Sequence, residues 1–191
     1  MLKLENLSFS YGDKAVLDAF SLHLEDGEIL AIMGPSGCGK TTLLNLIAGT
    51  IRKKDGLLEK QTDAISYVFQ EPRLFPWLTV KKNLLAVTGK RVVSEEEVGK
   101  TLEAVELSGC EELYPEELSG GMKIRVSLAR AMIADTKLWL LDEPFASLDG
   151  ELRKRMISRL RAWVKERGIS VICVTHFEDD ATLFADRIYR F

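Results

Sequence analysis

Long apolar runs are missing from this 191-residue chain. None approaches the roughly 18 residues of a membrane-crossing helix, so the chain is not expected to cross a bilayer by itself. The opening Met1-Leu2-Lys3-Leu4-Glu5 lacks the layout of a secretion signal. Internal repeats and low-complexity segments are also missing. Cysteine is scarce: Cys38, Cys110 and Cys173 are the only three, and they form no metal-like cluster. A reduced, cytoplasmic setting is the expectation that follows. An excess of one charge is lacking too. Lysine and arginine total 26 against 29 acidic residues, a net charge of −3, which argues against a general nucleic-acid binder. What remains is ordinary for a globular protein, 46% apolar and 29% charged, long enough for a substantial core in one or two domains.

Against that background one stretch is specific. Gly34-Pro35-Ser36-Gly37-Cys38-Gly39-Lys40-Thr41 fits the phosphate-binding pattern G-x-x-x-x-G-K-[ST] at every fixed position. Glu28 to Met33 before it is a short apolar run that reads as a buried strand. Thr42 to Ala48 after it reads as a helix ended at Gly49. Strand, glycine loop and helix start together enclose an anion with backbone N–H groups. Lys40 supplies a cation to the β- and γ-phosphates, and the Thr41 hydroxyl can ligate Mg²⁺. A glycine-rich turn that binds nothing is the competing reading. A lysine directly before two threonines at a helix start argues against it.

Residues 2–33 are expected to be β-rich. Leu2, Leu4, Leu7 and Phe9 roughly alternate, and Val16, Phe20, Leu22 and Leu24 continue in a second stretch, with turns at Tyr11-Gly12-Asp13 and Asp26-Gly27. Tyr11 sits at a loop tip, and taken alone it is an ordinary packing residue rather than a base-stacking platform. Arg52-Lys53-Lys54-Asp55-Gly56 reads as a charged, solvated turn, and Ala64 to Phe69 as a strand ending at Gln70. Pro72 and Pro76 exclude regular structure from 71 to 80. For Phe75, Trp77 and Leu78 in that stretch, a partner-docking surface and local core packing are both open.

Ser94-Glu95-Glu96-Glu97 predicts a helix over 94–107 opened by a capping box, with Val98, Leu102 and Val105 at helical spacing. Ser119-Gly120-Gly121 introduces another, marked on one face by Met122, Val126, Ala129 and Ile133. The chain from Gln70 to Ser119 is therefore expected to be mainly helical, an insertion into an otherwise alternating α/β chain. Lys137 to Glu143 is an uninterrupted apolar strand ending in two carboxylates, which suits a parallel strand buried on both faces. An amphipathic helix over 151–166 presents Leu152, Met156, Leu160 and Trp163. A strand over 169–174, a short helix from Glu178 and a last strand near Arg187-Ile188-Tyr189 complete the pattern.

Two acidic residues at a buried strand end, downstream of a phosphate loop, have a clear chemical use. Asp142 can hold Mg²⁺ opposite Thr41, and Glu143 can orient or deprotonate the water that attacks a γ-phosphate. Without the loop, a pair of carboxylates capping a neighbouring helix would be the better reading. His176, just past the next strand, would reach the same γ-phosphate or water, because ligands collect at that edge of open α/β sheets.

Leu118-Ser119-Gly120-Gly121-Met122 completes an ordered set of motifs. With it, nearly the whole chain resembles the nucleotide-binding subunit of ATP-binding cassette (ABC) transporters. The family's motifs stand here in order: an aromatic (Tyr11), Walker A (34–41), the Q-loop Gln70, the signature (118–122), Walker B (138–143), the D-loop Ser147-Leu148-Asp149 and the switch His176. The fold so implied is a P-loop NTPase, RecA-like α/β core with a mainly parallel sheet. An N-terminal antiparallel β subdomain and a helical subdomain inserted at about 71–135 would complete one domain over 1–191.

The resemblance implies a catalytic group of Glu143, His176, Gln70 and Lys40. It places nucleotide on Tyr11, which would stack on adenine, and on Gly34, Pro35, Ser36, Gly37, Cys38, Gly39, Lys40, Thr41 and Thr42. Mg²⁺ would lie on Thr41, Gln70 and Asp142. Ser119, Gly120 and Gly121 would meet the γ-phosphate held by a second copy in a head-to-tail dimer, with Asp149 at the interface. ATP and Mg²⁺ are thus the implied cofactors. Permease subunits and a solute-binding protein are the implied partners, without nucleic acid, at the cytoplasmic face of the membrane. The 70–80 stretch looks like importer ATPases of the nitrate, sulfonate and taurine group. The signature departs from the family's commonest form by having Met122 in place of glutamine. The chain stops just after its last expected strand, so the additional C-terminal region of many importer ATPases is expected to be missing. The alternatives are a soluble ABC ATPase acting mechanically in DNA repair or translation, and a monomeric P-loop kinase. The first usually carries a coiled-coil insertion or tandem cassettes, and the second leaves residues 118–122 unexplained.

Overall fold

The computed structural model describes residues 1–52 and 55–191. Two long strands, β1 (Leu2–Tyr11) and β2 (Lys14–Leu24), open the chain as an antiparallel hairpin. Their apolar residues do not alternate strictly, and the structure supplies the reason. Asn6 and Ala19 have positive φ, 49° and 46°, where the ladder register shifts. Each is an extra residue that returns the next apolar side chain, Leu7 or Phe20, to the buried face. The strands satisfy each other's displaced amides: Asn6 N donates to Ser21 Oγ at 3.0 Å, and Ala19 N to Ser8 Oγ at 3.0 Å.

A third strand, β4 (Asp55–Lys60), pairs with β1 on its other edge. Asp55 and Gly56 of the expected charged turn therefore belong to a strand, while Lys53 and Lys54 lie outside the described residues. Between them in sequence come β3 (Ile29–Met33) and α1 (Lys40–Ala48), the latter ended by Gly49 in a left-handed cap as expected but starting two residues before Thr42. The remaining elements are β5 (Ile65–Val68), α2 (Val80–Leu85), α3 (Glu95–Ala104), α4 (Gly120–Ile133) and β6 (Leu138–Asp142). After them come α5 (Gly150–Glu166), β7 (Ser170–Val174), α6 (Glu178–Phe184) and β8 (Arg187–Arg190).

Strands β5, β6, β7, β3 and β8 form, in that order, a parallel sheet. Its central strands β3, β6 and β7 are buried throughout, which their unbroken apolar sequences foretold. Alternate residues feed two cores. Leu30, Ile32, Leu138, Leu140 and Ile172 pack with α1 and the antiparallel sheet. Trp139, Leu141, Val171 and Cys173 pack on the other face with residues of α2, α3, α4 and α5. The helices of 80–133 share that second core with the sheet. The structure thus matches the expected α/β P-loop architecture.

Two local expectations need correction. The helix predicted over 94–107 stops at Ala104, because Glu106 takes a positive φ of 56° and turns Leu107 into the core. Its capping box is half formed. Ser94 Oγ accepts from Glu97 N at 3.1 Å, but the Glu97 carboxylate pairs with Arg91 at 2.7 Å instead of reaching back. Helix α2, short and set just after the proline-rich stretch, was not anticipated; Thr79 caps its start.

A candidate nucleotide site

All strands of the parallel sheet end at one edge, and there the sequence-predicted groups collect. Strand β3 runs straight into the glycine loop, β5 into Gln70, β6 into Asp142 and Glu143, and β7 into Thr175 and His176. Gly39 caps α1 with φ 112°, and a Cβ there would sit 2.9 Å from Val16 Cγ1, so only glycine fits. That cap makes no side-chain hydrogen bond, which leaves the helix's first N–H groups facing the loop.

Lys40 is nearly buried, and its ammonium spans the loop, donating to Gly34 O at 2.8 Å and Pro35 O at 2.9 Å. Cys38 Sγ lies 3.8 Å from the same nitrogen. One residue on, Thr41 Oγ1 donates to Asp142 Oδ2 at 2.8 Å, which ties the loop helix to the end of β6 across 101 residues of chain. A cavity of about 360 Å³ opens between these elements. Tyr11, Ser36, Gly37, Lys40, Thr42 and Gln70 line it, together with Gly39, Thr41, Asp142 and Glu143. Tyr11 is half exposed at the rim, its ring meeting Phe9 edge-on at 4.8 Å.

Asp142 sits in an unfavourable place for a charge. Burial lifts Asp142 above the usual carboxylate range and the neighbouring Glu143 charge adds to this, while the Thr41 hydrogen bond and Lys40 oppose it. Glu143 holds a left-handed φ of 51°, strained for a residue with a side chain, and its N–H is fixed to Val174 O at 2.9 Å. Its Oε2 is buried with no aligned hydrogen-bond donor among the described residues. His176 Nδ1 lies 2.5 Å from that oxygen, close enough for an ion pair but off hydrogen-bond geometry. An underserved carboxylate pair beside a threonine hydroxyl is a donor set that fits a divalent cation.

Other predicted residues lie elsewhere. Ser119, Gly120 and Gly121 do not line the cavity. They open α4, where Ser119 Oγ accepts from Met122 N at 3.3 Å, and Gly121 lies against Ser147 and Leu148. Ser119 and Gly120 are exposed. Asp149 caps α5, accepting from Leu152 N at 3.0 Å. Lys14 and Val16 line the cavity without having been singled out from sequence. The available signal was the hairpin itself, since Lys14 pairs directly with Tyr11.

A glycine loop with an embedded lysine, tied through threonine to a strand-end aspartate, defines a nucleoside-triphosphate-binding protein of the P-loop class. The family model described as ABC transporter matches residues 17–146, and the chain belongs to that family, as an ATPase. It is 43% identical over 202 residues to the spermidine/putrescine import ATP-binding protein PotA of Spiroplasma citri, covering 98% of this chain and 58% of that protein. It is 39% identical over 201 residues to the aliphatic sulfonates import ATP-binding protein SsuB 1 of Pseudomonas aeruginosa, covering 98% and 80%. Among solved structures, the dimeric structure of a bacterial ABC transporter cassette superposes with TM-score 0.90 at 30% identity, covering 100% of this chain and 94% of that one. A dimeric post-hydrolysis state of the same cassette, bound to ADP and Pi, gives TM-score 0.89 at 29% identity with the same coverage.

Proposed function

We propose that this chain powers a solute importer from the cytoplasmic face of the membrane, as one of two head-to-tail ATPase subunits seated on permease subunits and served by a solute-binding protein. The relatives' printed roles in sulfonate and polyamine import support the direction of transport. The observation that carries the paired mechanism is the placement of Ser119 and Gly120: exposed, at a helix start, and outside the cavity that Ser36, Gly37, Gly39, Lys40, Thr41 and Thr42 line. They are the half of the site that a second copy would receive.

Within one subunit, Tyr11 stacks on adenine and the 34–42 segment wraps the phosphates, with Lys40 exchanging its loop carbonyls for phosphate oxygens. Thr41, Asp142 and Gln70 would hold Mg²⁺, which neutralises charge on the transferring phosphoryl group. Glu143 accepts a proton from water as the water oxygen bonds the γ-phosphorus and the bridge to the β-phosphate breaks. His176 sits beside Glu143 and steadies it for that step.

The loop beyond Gln70 is the proposed permease contact. Trp77 is 71% exposed and Phe75 37%, so these rings are not core. The fully buried Asn83 holds the loop in this display, accepting from Phe75 N at 2.8 Å and donating to the carbonyls of Phe75, Leu78 and Thr79.

The test is dimerisation. Glu143→Gln slows hydrolysis by about 10²- to 10⁴-fold, the range for a lost general base, and so traps ATP. Light scattering is expected to find a dimer of this variant with ATP and a monomer with ADP. Adding Gly120→Asp sets a carboxylate against the partner's phosphate and abolishes the dimer, while each monomer still binds ATP. A monomer at saturating ATP, or loss of ATP binding with Gly120→Asp, overturns the shared-site reading.

A further inference from the structure

Helix α5 carries a cation near the end where its dipole disfavours one. Arg153 is the fourth residue of that helix, a single turn from its start. The guanidinium engages backbone and a ring. Its Nη2 donates to Ala146 O at 3.2 Å and to Leu148 O at 3.1 Å. Its central carbon lies over the Phe177 ring, 4.4 Å from the ring centre. Ala146 and Leu148 belong to the turn that leaves β6 through Glu143, and Ala146 N donates to Glu143 O at 3.3 Å. Phe177 belongs to the loop that leaves β7 through His176, and the two rings lie 3.9 Å apart. One side chain thus touches both segments that carry the Glu143 and His176 pair.

That pair needs outside support. The sheet fixes the root of Glu143 through its N–H on Val174 O, but the β6–β7 ladder ends at Val174, two residues short of His176. The His176 side chain is half exposed, and its approach to Glu143 lacks hydrogen-bond geometry, so the two groups do not set their own angle. A guanidinium suits the task, since its edge donates to carbonyls while its face stacks on a ring. It reaches α6 as well. Burial lifts the nearly buried Asp180 carboxyl above its usual range, and the charge of Arg153 is the chief influence opposing that. We propose that Arg153 is a positioning residue for ATP hydrolysis, clamping the His176 loop against the turn after Glu143 and so setting how the two side chains meet. This rests on the reading of Glu143 as proton acceptor with His176 as its support.

Arg153 does not line the nucleotide cavity, so its loss is expected in kcat and not in KM. Arg153→Ala lowers kcat by about 10- to 10²-fold, the scale of a misplaced catalytic group, with KM for ATP near the native value. The decisive readout is a double-mutant cycle followed by single-turnover phosphate release. If Arg153 acts through His176, adding Arg153→Ala to His176→Ala lowers the rate by less than about twofold, because the group it positions is already gone. Should Arg153→Ala fail to fold, Phe177→Leu replaces it with the same expectations, removing the ring while Arg153 keeps its two carbonyls. An unchanged kcat, a raised KM alone, or a loss that repeats in full on top of His176→Ala overturns the proposal. Native turnover in His176→Ala itself would instead sink the reading of His176, and the proposal with it, so the two failures are told apart.

Discussion

Helices α1 and α4 both have glycine where they start, Gly39 just before one and Gly120 first in the other, yet they are finished differently. At α1, Gly39 offers no side-chain cap, and a buried lysine occupies the mouth of the loop that the helix closes. At α4, Ser119 caps the helix with its own hydroxyl, the glycines that follow are exposed or half-buried, and no lysine or arginine stands in the first turn before Lys123. A helix start of the first kind is an anion site in its own right, since dipole, open N–H groups and cation coincide. The second kind offers the dipole and close backbone access but no cation. It is suited to an anion already held by something else.

The sharpest way to break this contrast is Lys40→Ala. It removes the cation from the stronger helix start and is expected to lower ATP hydrolysis by about 10²- to 10³-fold, the scale of one preorganised electrostatic contact, and to weaken ATP binding in calorimetry. Gly120→Asp at the weaker start should do the reverse, sparing binding while removing association. If both variants lose ATP binding equally, the two helix starts are not different in kind.

A smaller effect tests the base end of the same site. Tyr11→Ala is expected to weaken ATP binding by about 1–3 kcal/mol, taking base–aromatic stacking in nucleic-acid binders as the guide, whereas Tyr11→Phe preserves it. Equal affinities for the native protein and Tyr11→Ala in calorimetry would return Tyr11 to packing against Phe9.

The smallest effect concerns the floor beneath α1. Asp186 holds the start of β3, accepting from Ile29 N at 2.9 Å and pairing with Lys165 at 2.5 Å and Arg161 at 2.8 Å. Burial pushes its carboxyl up, but the hydrogen bonds from Lys165, Ile29 and Arg161 outweigh this and leave it below the usual aspartate range. A depressed folded value means the contribution is present above the unfolded value near about 4 and is lost as pH falls through the folded one. Asp186→Asn is expected to cost about 1 kcal/mol at neutral pH, a screened value for a partly exposed network. The gap in melting temperature from the native protein should close on acidification below about pH 4. A gap that stays constant with pH would mean that packing, not charge, fixes this corner.

How much of this was legible in the sequence depended on whether a segment's reason for its structure was local. Strands β3, β6 and β7 were readable because burial on both faces demands unbroken apolar residues, and the phosphate loop because its turn demands glycine. Strand β4 was not. Asp55 to Lys60 is an edge strand carrying Asp, Gly, Glu and Lys, and only its pairing with β1 makes it a strand. Helix α2 was hidden by the prolines before it and is held by Asn83, whose four hydrogen bonds to the preceding loop have no sequence signature. The early end of α3 follows from Glu106, which Arg155 and Arg159 on α5 hold in place from across the fold. Within the site, the loop and carboxylates were local signals. Lys14 and Val16 entered through a hairpin partner, and the pairing of His176 with Glu143 through the sheet.

That last pairing follows from strand register. Asp142 stands opposite Val174 in the β6–β7 ladder, so Glu143, one residue past the first, and His176, two past the second, are delivered to one another by counting residues along two strands. The sheet works as a ruler, and its graduations are peptide units rather than side chains. Repacking can absorb a changed methyl group in the middle of either strand. An inserted or deleted residue there moves one end of the ruler past the other and flips every side chain beyond it to the opposite face. The length of β6 and β7 is therefore held more tightly than the choice among apolar side chains along them.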